Sequence, residues 1–211
     1  MAGKHFCVSF THPGDADWCL THGQSVMWDN GAFSTFTAGK TFDPDAFAAW
    51  VEPRLGHPHW AVVPDVIDGT VEEQCAMIAA WPHPRALSAP VWHMGLPLDW
   101  LLELAGEWPR ICFGSTAQYW QVGSETWERR CDAAWNALER HGLRPWVHML
   151  RGLALAGDRW PFASADSVNV ARNFKDGPVC PERMARRIDA VQCPARWTRR
   201  AMTKDLFGIA S

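Results

Sequence analysis

Three aspartates in this chain, Asp29, Asp65 and Asp166, each stand at or near the end of a different short apolar segment. Carboxylates that share a pocket can divide the chemistry of glycosyl transfer. One attacks an anomeric carbon while another, kept protonated by a drier environment, handles the proton of the leaving group. Like charges placed close together raise the pKa of one member, as an acid–base catalyst requires. The pattern predicts carboxylate chemistry at a sugar carbon, with Asp166 as the nucleophile.

Other apolar segments end in residues that suit ligand binding. One ends in His93-Met-Gly95, another in Gly114-Ser115, and a third runs through His148 to Arg151-Gly152. Each residue alone also has an ordinary structural explanation, because a turn aspartate caps backbone amides and a buried histidine is usually hydrogen-bonded within the core. The joint pattern favours one pocket, since the ends of parallel strands share the face at which ligands bind.

The polar ends belong to seven strand candidates, which alternate with helix candidates as expected for repeated β-α units around a parallel sheet. Asp43 followed by Pro44, and Thr70 followed three residues later by Glu73, are signals for the start of a helix. The strands are predicted at 5–10, 25–28, 60–64, 89–93, 110–113, 146–150 and 163–170. Further helices are predicted at 98–108, 124–141 and 181–191, and a loop at 11–23.

These elements predict a single α/β domain over residues 1–211, folded as a compact TIM-like (β/α) barrel that is complete or abbreviated at its last strands. A doubly wound open sheet is the alternative. Seven scattered cysteines without a Cys-x-x-Cys pair argue against a disulfide framework and a closed zinc site, so neither metal nor cofactor is expected. The sequence has no apolar run of about 18 residues and no secretory pattern, and a cytoplasmic protein is therefore expected.

The charge of the chain is unevenly distributed. Residues 1–128 hold 5 Lys and Arg against 15 Asp and Glu, whereas residues 129–211 hold 15 against 8. A phosphate backbone lying across the C-terminal part would account for the basic cluster, and so would a solvated face. Arg186 and Arg187, on the predicted helix 181–191, are candidate phosphate contacts.

The motifs resemble, in their order along the chain, those of the tRNA-guanine transglycosylase superfamily. They are most similar to its short phage-type members, the DpdA-like proteins that place 7-deazaguanines in DNA. The resemblance covers about residues 25–175 and depends on order and spacing more than on identity. The motifs are Asp29-Asn-Gly-Ala-Phe33, Val63-Pro-Asp65, His93-Met-Gly95, Phe113-Gly-Ser115, His148-Met-Leu-Arg-Gly152 and Ala165-Asp-Ser-Val-Asn-Val-Ala-Arg-Asn173.

The resemblance implies a role for each matched residue. Asp166 corresponds to the aspartate that attacks C1′ of the nucleotide and leaves a covalent glycosyl-enzyme, and Asp29 corresponds to the one that transfers protons and touches the base. Asp65 and His93 correspond to base-contacting positions, and His93 stands where the family has glutamine. The implied substrate contacts also include the Gly114 N–H, Ser115, Met149 and Asn169, while Arg172 and Asn173 fit contacts to phosphate or sugar.

The resemblance further implies a pentosyltransferase that exchanges guanine in DNA, rather than in tRNA, for a free 7-deazaguanine such as preQ0. The zinc ligands of the family have no counterparts here, because only Cys180 and Cys193 follow Asp166, so no zinc-binding subdomain is expected. Such a protein is expected in the cytoplasm of a phage host and without a membrane partner. Whether it is a monomer or a homodimer is left open. Two alternatives remain, an N-glycosidase that uses water in the same pocket and a non-catalytic protein that binds a purine or a nucleic acid.

Overall fold

The computed structural model describes residues 2–168 and 180–200, and in this part short strands alternate with helices. The strands are β1 (His5–Ser9), β2 (Ser25–Asp29), β3 (Trp60–Val62), β4 (Ser88–Ala89), β5 (Val91–His93), β6 (Arg110–Gly114), β7 (Trp146–Met149) and β8 (Ser164–Ala165). The α-helices are α1 (Ala16–His22), α2 (Ala32–Thr37), α3 (Pro44–Val51), α4 (Val71–Ala80), α5 (Leu98–Glu107), α6 (Glu125–Arg140) and α7 (Pro181–Asp189). Single turns of 3-10 helix lie at Pro13–Asp15, Glu52–Arg54, Arg85–Leu87, Ala117–Tyr119 and Leu153–Leu155.

Neighbouring strands are parallel and pair in chain order, as β1-β2-β3-β4 and as β5-β6-β7-β8. Pro90 separates β4 from β5, so the single strand predicted at 89–93 is divided into two. Proline has no N–H to donate within a sheet. Its carbonyl nevertheless accepts a hydrogen bond from the Cys112 N–H at 2.8 Å, while the Ala89 carbonyl accepts one from the Val63 N–H at 2.9 Å. Pro90 therefore connects the two sheets through adjacent residues.

The sheets are curled, as shown by side chains from strands that are not neighbours but meet on one face. This face is called the inner face below. The ring centroids of Trp60 in β3 and Trp146 in β7 are 5.4 Å apart. The buried cluster on this face consists of Met27, Trp60, Val62, Ala89, Val91 and Cys112. Within the described residues no ladder of hydrogen bonds joins β8 to β1. A mixed α/β fold with parallel sheets is thus confirmed, whereas the closed barrel is not seen in this part of the chain.

The opposite, outer face of the sheets packs against the helices and forms the larger core. Its completely buried aromatic side chains come from both strands and helices, and indoles bury large areas. They include Trp28, Phe47, Trp92, Phe113, Trp127 and Trp160. None of the helices in the described ranges is both long and apolar enough to cross a membrane.

Two helix starts confirm the capping signals in the sequence. At α3, the Asp43 side chain accepts a hydrogen bond from the Ala46 N–H at 2.9 Å, and Pro44 is the first residue of the helix. At α4, Thr70 and Glu73 form a reciprocal capping box, with bonds of 3.3 and 2.7 Å. These signals depend on local geometry, and both predictions hold for that reason.

Two predictions of local structure are wrong. The segment 11–23 is not a loop, because it contains the 3-10 turn and α1, whose Ala16 and Cys19 are buried one turn apart. Pro13 occupies the first position of the turn, where no N–H donor is needed, and so begins the structure instead of interrupting it. The strand predicted at 163–170 covers only Ser164–Ala165 within the described residues.

Candidate active site at the carboxyl ends of the strands

Several predicted site residues meet on the inner face, where the strands end. Ser9 and Asp29 are register partners at the ends of β1 and β2, and His93 and Gly114 are partners at the ends of β5 and β6. Side chains alternate between the two faces of a strand. Asp29 therefore shares a face with Met27, two residues earlier, which belongs to the inner-face cluster.

The three aspartates lie near one another, because their charges act on the same groups. Burial raises the pKa of the Cys112 thiol well above its ordinary value, and the charges of Asp166, Asp65 and Asp29 raise it further. Desolvation within the curled sheet also raises the pKa of the Cys7 thiol in β1, and the charges of Asp29 and Asp166 raise it further. Because such electrostatic effects weaken with distance, the structure brings together the carboxylates that the sequence placed on separate strand ends.

Asp29 has the most favourable proton affinity for acid–base chemistry. Burial raises its pKa from 3.8 to about 6, and the charges of Asp166 and Asp65 add to the increase. The Ser9 hydroxyl and the Gly31 N–H both donate hydrogen bonds to the carboxylate, and these bonds limit the increase. A carboxyl group with a pKa near neutral pH can both give and accept a proton. Asp29 is thus suited to act as a general acid and base.

Asp65 lies between a buried amide and a buried imidazole. The Asn30 Nδ2 donates hydrogen bonds to Asp65 Oδ1 at 2.7 Å and to the Val63 carbonyl at 3.0 Å. The Asn30 Oδ1 accepts from the Ala32 N–H at 2.8 Å. The second carboxylate oxygen, Oδ2, is 2.9 Å from His93 Nε2. Asp65 and His93 are 8% and 4% exposed, so these contacts are shielded from water and fix the carboxylate.

His93 fits its position because residue 114 has no side chain. A Cβ on Gly114 would lie 3.1 Å from His93 Nδ1 and 2.9 Å from Val91 Cγ1. Although Nε2 is close to Asp65, neither ring nitrogen of His93 forms a hydrogen bond of normal geometry within the described residues. A buried polar atom without a partner costs free energy. A ligand that supplied the partner would recover that cost, and His93 remains a predicted ligand contact.

Asp166 is oriented by groups from the end of β7. Its Oδ1 accepts a hydrogen bond from the Arg151 N–H at 2.7 Å and lies 3.2 Å from His148 Nε2. The other ring nitrogen of His148 is 2.5 Å from the Ser164 hydroxyl. An aspartate that must attack a carbon needs a fixed orientation. These contacts provide that orientation from both the backbone and a buried imidazole.

Arg151 connects three strand ends. Its φ is 60°, a backbone conformation that is uncommon for residues other than glycine. This conformation directs its N–H toward the Asp166 carboxylate. Its guanidinium donates a hydrogen bond to the Ser115 carbonyl at 2.9 Å and lies over the ring of Phe33 at 4.2 Å. Arg151 therefore links the segment after β7 to the end of β6 and to α2.

Two predicted substrate contacts are not brought to the acidic cluster. The Ser115 hydroxyl accepts a hydrogen bond from Trp127 Nε1 in α6 at 2.9 Å, on the outer side of the sheet. Met149 is 0% exposed and belongs to the outer-face core, because His148, its neighbour, occupies the inner face. The side chains of Ser115 and Met149 are structural in this arrangement. The predicted contacts Asn169, Arg172 and Asn173 lie outside the described residues.

The basic C-terminal region forms an exposed surface. Arg186 and Arg187 are exposed on α7, and an ion pair between Lys4 and Asp189 ties the end of this helix to the start of β1. The following segment is held by Asn136 of α6, which bonds to the Trp197 indole and to the backbone of Arg200. A surface cavity of about 220 Å³ lies there, away from the aspartates, and is lined by Arg159, Pro194, Arg196, Trp197, Thr198 and Arg200.

The amino-terminal end of the inner face is filled by a cation and two indoles. The guanidinium carbon of Arg110 is 4.8 Å from the Trp60 ring centroid and 4.7 Å from that of Trp146. Trp146 also stacks on His148, with ring centroids 6.3 Å apart. Stacking of this kind stabilises a half-buried arginine. The acidic cluster lies at the opposite, carboxyl end of the strands.

The described residues include no group of three His, Cys, Asp or Glu side chains placed to hold a metal ion, and the seven cysteines are free. No protein-family model matches the chain, and no curated protein matches it. The chemistry of the site is therefore the basis for assigning a function.

Sequence reasoning missed three residues of the site. Asn30 was named only within the motif Asp29-Asn-Gly-Ala-Phe33, and His148 and Arg151 were counted among the polar strand ends without an individual role. Asn30 follows Asp29 directly, and His148 lies two residues from Trp146 on the same strand face. Adjacency and the two-residue period were the signals that could have identified them.

Proposed function

We propose that the protein is a base-exchange transglycosylase that replaces guanine in DNA with a free 7-deazaguanine such as preQ0, through a covalent intermediate on Asp166. The observation that carries the proposal is the convergence of Asp29, Asp65 and Asp166 on one face, with the pKa of Asp29 raised to about 6. We propose with it that the curled sheets belong to a (β/α) barrel of the tRNA-guanine transglycosylase type.

The reaction needs one ionised carboxylate that attacks and one carboxyl group that carries a proton. In the first half, an oxygen of Asp166 bonds to C1′, the glycosidic bond breaks toward guanine, and guanine takes a proton from Asp29. In the second half, the incoming base gives its proton to Asp29 and bonds to C1′, which releases Asp166. Two displacements at one carbon retain its configuration.

The buried pair of Asp65 and His93 supplies the groups that would read the base. A carboxylate accepts hydrogen bonds well from the N1–H and exocyclic amine of a guanine-like edge. The Asn30 bond holds Asp65 in a fixed position. An unpartnered nitrogen of His93 offers one further contact, as expected for a site in which a few fixed polar groups determine specificity.

Exposed aromatic and basic residues support a nucleic-acid substrate. Phe33 and Phe36 in α2 are 42% and 52% exposed, and Trp120, after the end of β6, is 67% exposed. Single-stranded or flipped bases stack on such rings. Arg186 and Arg187 provide positive charge for a phosphate backbone.

The test is incubation of the protein with guanine-containing DNA and preQ0, followed by digestion and mass spectrometry of the nucleosides. Wild-type protein is expected to produce the 7-deazaguanine nucleoside, and Asp166→Asn to produce none. Asp99→Asn, an exposed change in α5, is the matched control and should retain activity. Absence of the modified nucleoside with the wild-type protein would overturn the proposal, and full activity of Asp166→Asn would overturn the assignment of the nucleophile.

A second candidate, an N-glycosidase, is favoured by the pKa of Asp29, which is raised to about 6. After Asp29 has given its proton to the departing base, its carboxylate can take a proton from a water molecule, and water would then replace the incoming base. The same incubation without preQ0 separates the candidates, because a glycosidase releases guanine from DNA and leaves an abasic site.

A further inference from the structure

A chain of polar side chains runs from the half-buried Asp29 to the surface. The Ser9 hydroxyl is hydrogen-bonded to the Asp29 carboxylate. The Ser9 Oγ is 3.0 Å from Thr11 Oγ1, and Thr11 Oγ1 is 3.0 Å from His12 Nδ1. Thr11 and His12 are exposed. The two outer links are short enough for hydrogen bonds, and Ser9 and Asp29 are register partners on adjacent strands, so the side chains form a path toward solvent.

The turn after β2 leaves room for this chain. Gly31 has φ of 76°, and a Cβ at this position would lie 2.7 Å from Thr11 Cγ2 and 3.1 Å from Ser9 Oγ. A side chain at position 31 would therefore displace the side chains of Ser9 and Thr11. The conformation favours glycine, so the same residue bonds to Asp29 through its N–H and allows Ser9 and Thr11 to approach.

We infer that Ser9, Thr11 and His12 form a proton relay that connects the carboxyl group of Asp29 to solvent. Hydroxyl groups suit this task because each can donate and accept a hydrogen bond. Imidazole suits the outer end because it takes up and releases protons near neutral pH. The relay serves the acid–base role proposed for Asp29 and rests on it.

The relay moves one proton from His12 to Asp29. The Nδ1–H bond of protonated His12 breaks as the proton passes to Thr11, the Thr11 hydroxyl proton passes to Ser9, and the Ser9 hydroxyl proton passes to Asp29. His12 becomes neutral and Asp29 becomes uncharged. The two hydroxyl groups then rotate back, and His12 takes a proton from water. The reverse sequence carries a proton from Asp29 to solvent.

The groups that face Asp29 on the inner face favour its protonated form. They are the carboxylates of Asp65 and Asp166 and the neutral thiol of Cys7. The negative charges of the two carboxylates raise the proton affinity of Asp29. Ser9 is the side chain that bonds to Asp29 and continues toward solvent through Thr11.

The decisive measurement requires no substrate. The rate at which Asp29 exchanges its proton with water is obtained from carbon-13 relaxation dispersion of its carboxyl group at pH 6. Thr11→Val preserves the shape of the side chain, removes the hydroxyl and leaves the bond between Ser9 and Asp29 in place. It is expected to slow the exchange at least about tenfold without moving the pKa of Asp29. Thr21→Val removes a surface hydroxyl that bonds only to a helix carbonyl, and should leave the rate unchanged.

An unchanged exchange rate in Thr11→Val would overturn the relay. If wild type shows no base exchange but Thr11→Val slows proton exchange, the proposed function fails and the relay stands. If base exchange occurs and the proton exchange rate is unaffected, the relay alone fails.

Discussion

The imidazole of His93 lies 2.9 Å from the carboxylate of Asp65, with the two groups on separate strand ends and both almost completely buried. The contact depends on the missing side chain at Gly114 on one side and on the amide of Asn30 on the other. It therefore joins residues from four segments of the chain into one rigid unit at the site.

Gly114→Ala is expected to displace His93 from Asp65, because the new Cβ would be 3.1 Å from the ring and 2.9 Å from Val91. Overpacking of this kind costs about 1–3 kcal/mol. The free energy of unfolding in urea and the nitrogen-15 shifts of His93 measure the two effects. Gly106→Ala, in α5 with open space around its Cβ, should instead stabilise the protein by about 0.5–1 kcal/mol. Equal stability changes in the two variants would contradict the packing of His93.

Asn30→Ala should destabilise the protein by about 2–4 kcal/mol and abolish activity. It removes three hydrogen bonds, one of them to the Asp65 carboxylate, in a residue that is 2% exposed. Asn136→Ala is the matched control, because this asparagine is also buried and also makes three bonds. A similar loss of stability with activity retained is expected there. Activity in Asn30→Ala measured well below its unfolding midpoint would show that Asp65 needs no such support.

Asp29→Asn should change how stability depends on pH. The raised pKa of Asp29 contributes stability that is fully present below its unfolded value of 3.8 and is lost as pH rises through about 6. Asparagine cannot ionise, so the variant is expected to be more stable than wild type by about 2 kcal/mol at pH 7.5, with the gain disappearing below about pH 4. Urea unfolding between pH 4 and 8 measures this. Asp15→Asn, an exposed change without a capping bond, should leave the profile as in wild type.

Arg186→Ser combined with Arg187→Ser should weaken binding to DNA in a salt-dependent manner. Each lost phosphate contact reduces the slope of log Kd against log salt by about 0.9, so the pair should reduce it by up to about 2. Fluorescence anisotropy with a labelled oligonucleotide at several salt concentrations provides the slope. Arg144→Ser removes an exposed arginine that faces Glu139 and is expected to leave the slope unchanged. If the double variant also left it unchanged, α7 would not be part of the DNA-binding surface.

The sequence was sufficient for features that depend on neighbouring residues. The caps at Asp43 and Thr70 are such features, and so is the parallel α/β pattern. The sequence did not predict which side chains of β7 point to the inner face, because both faces of a covered parallel strand are apolar. The family resemblance gave Met149 a substrate contact, and no feature of the sequence favoured its neighbour His148. The bond from Asn30 to Asp65 spans 35 positions and depends on the register of separate strands, which local patterns do not encode.

Arg110, held between Trp60 and Trp146, fills the amino-terminal end of the inner face. For the proposed exchange, both bases would then bind at the carboxyl ends of the strands, and guanine would leave before its replacement enters. We therefore expect ping-pong kinetics, in which the sugar stays covalently bound to Asp166 after guanine has left and before the new base binds. Free guanine should accordingly compete with the incoming base. The lifetime of the covalent intermediate without a bound base determines how often water hydrolyses it.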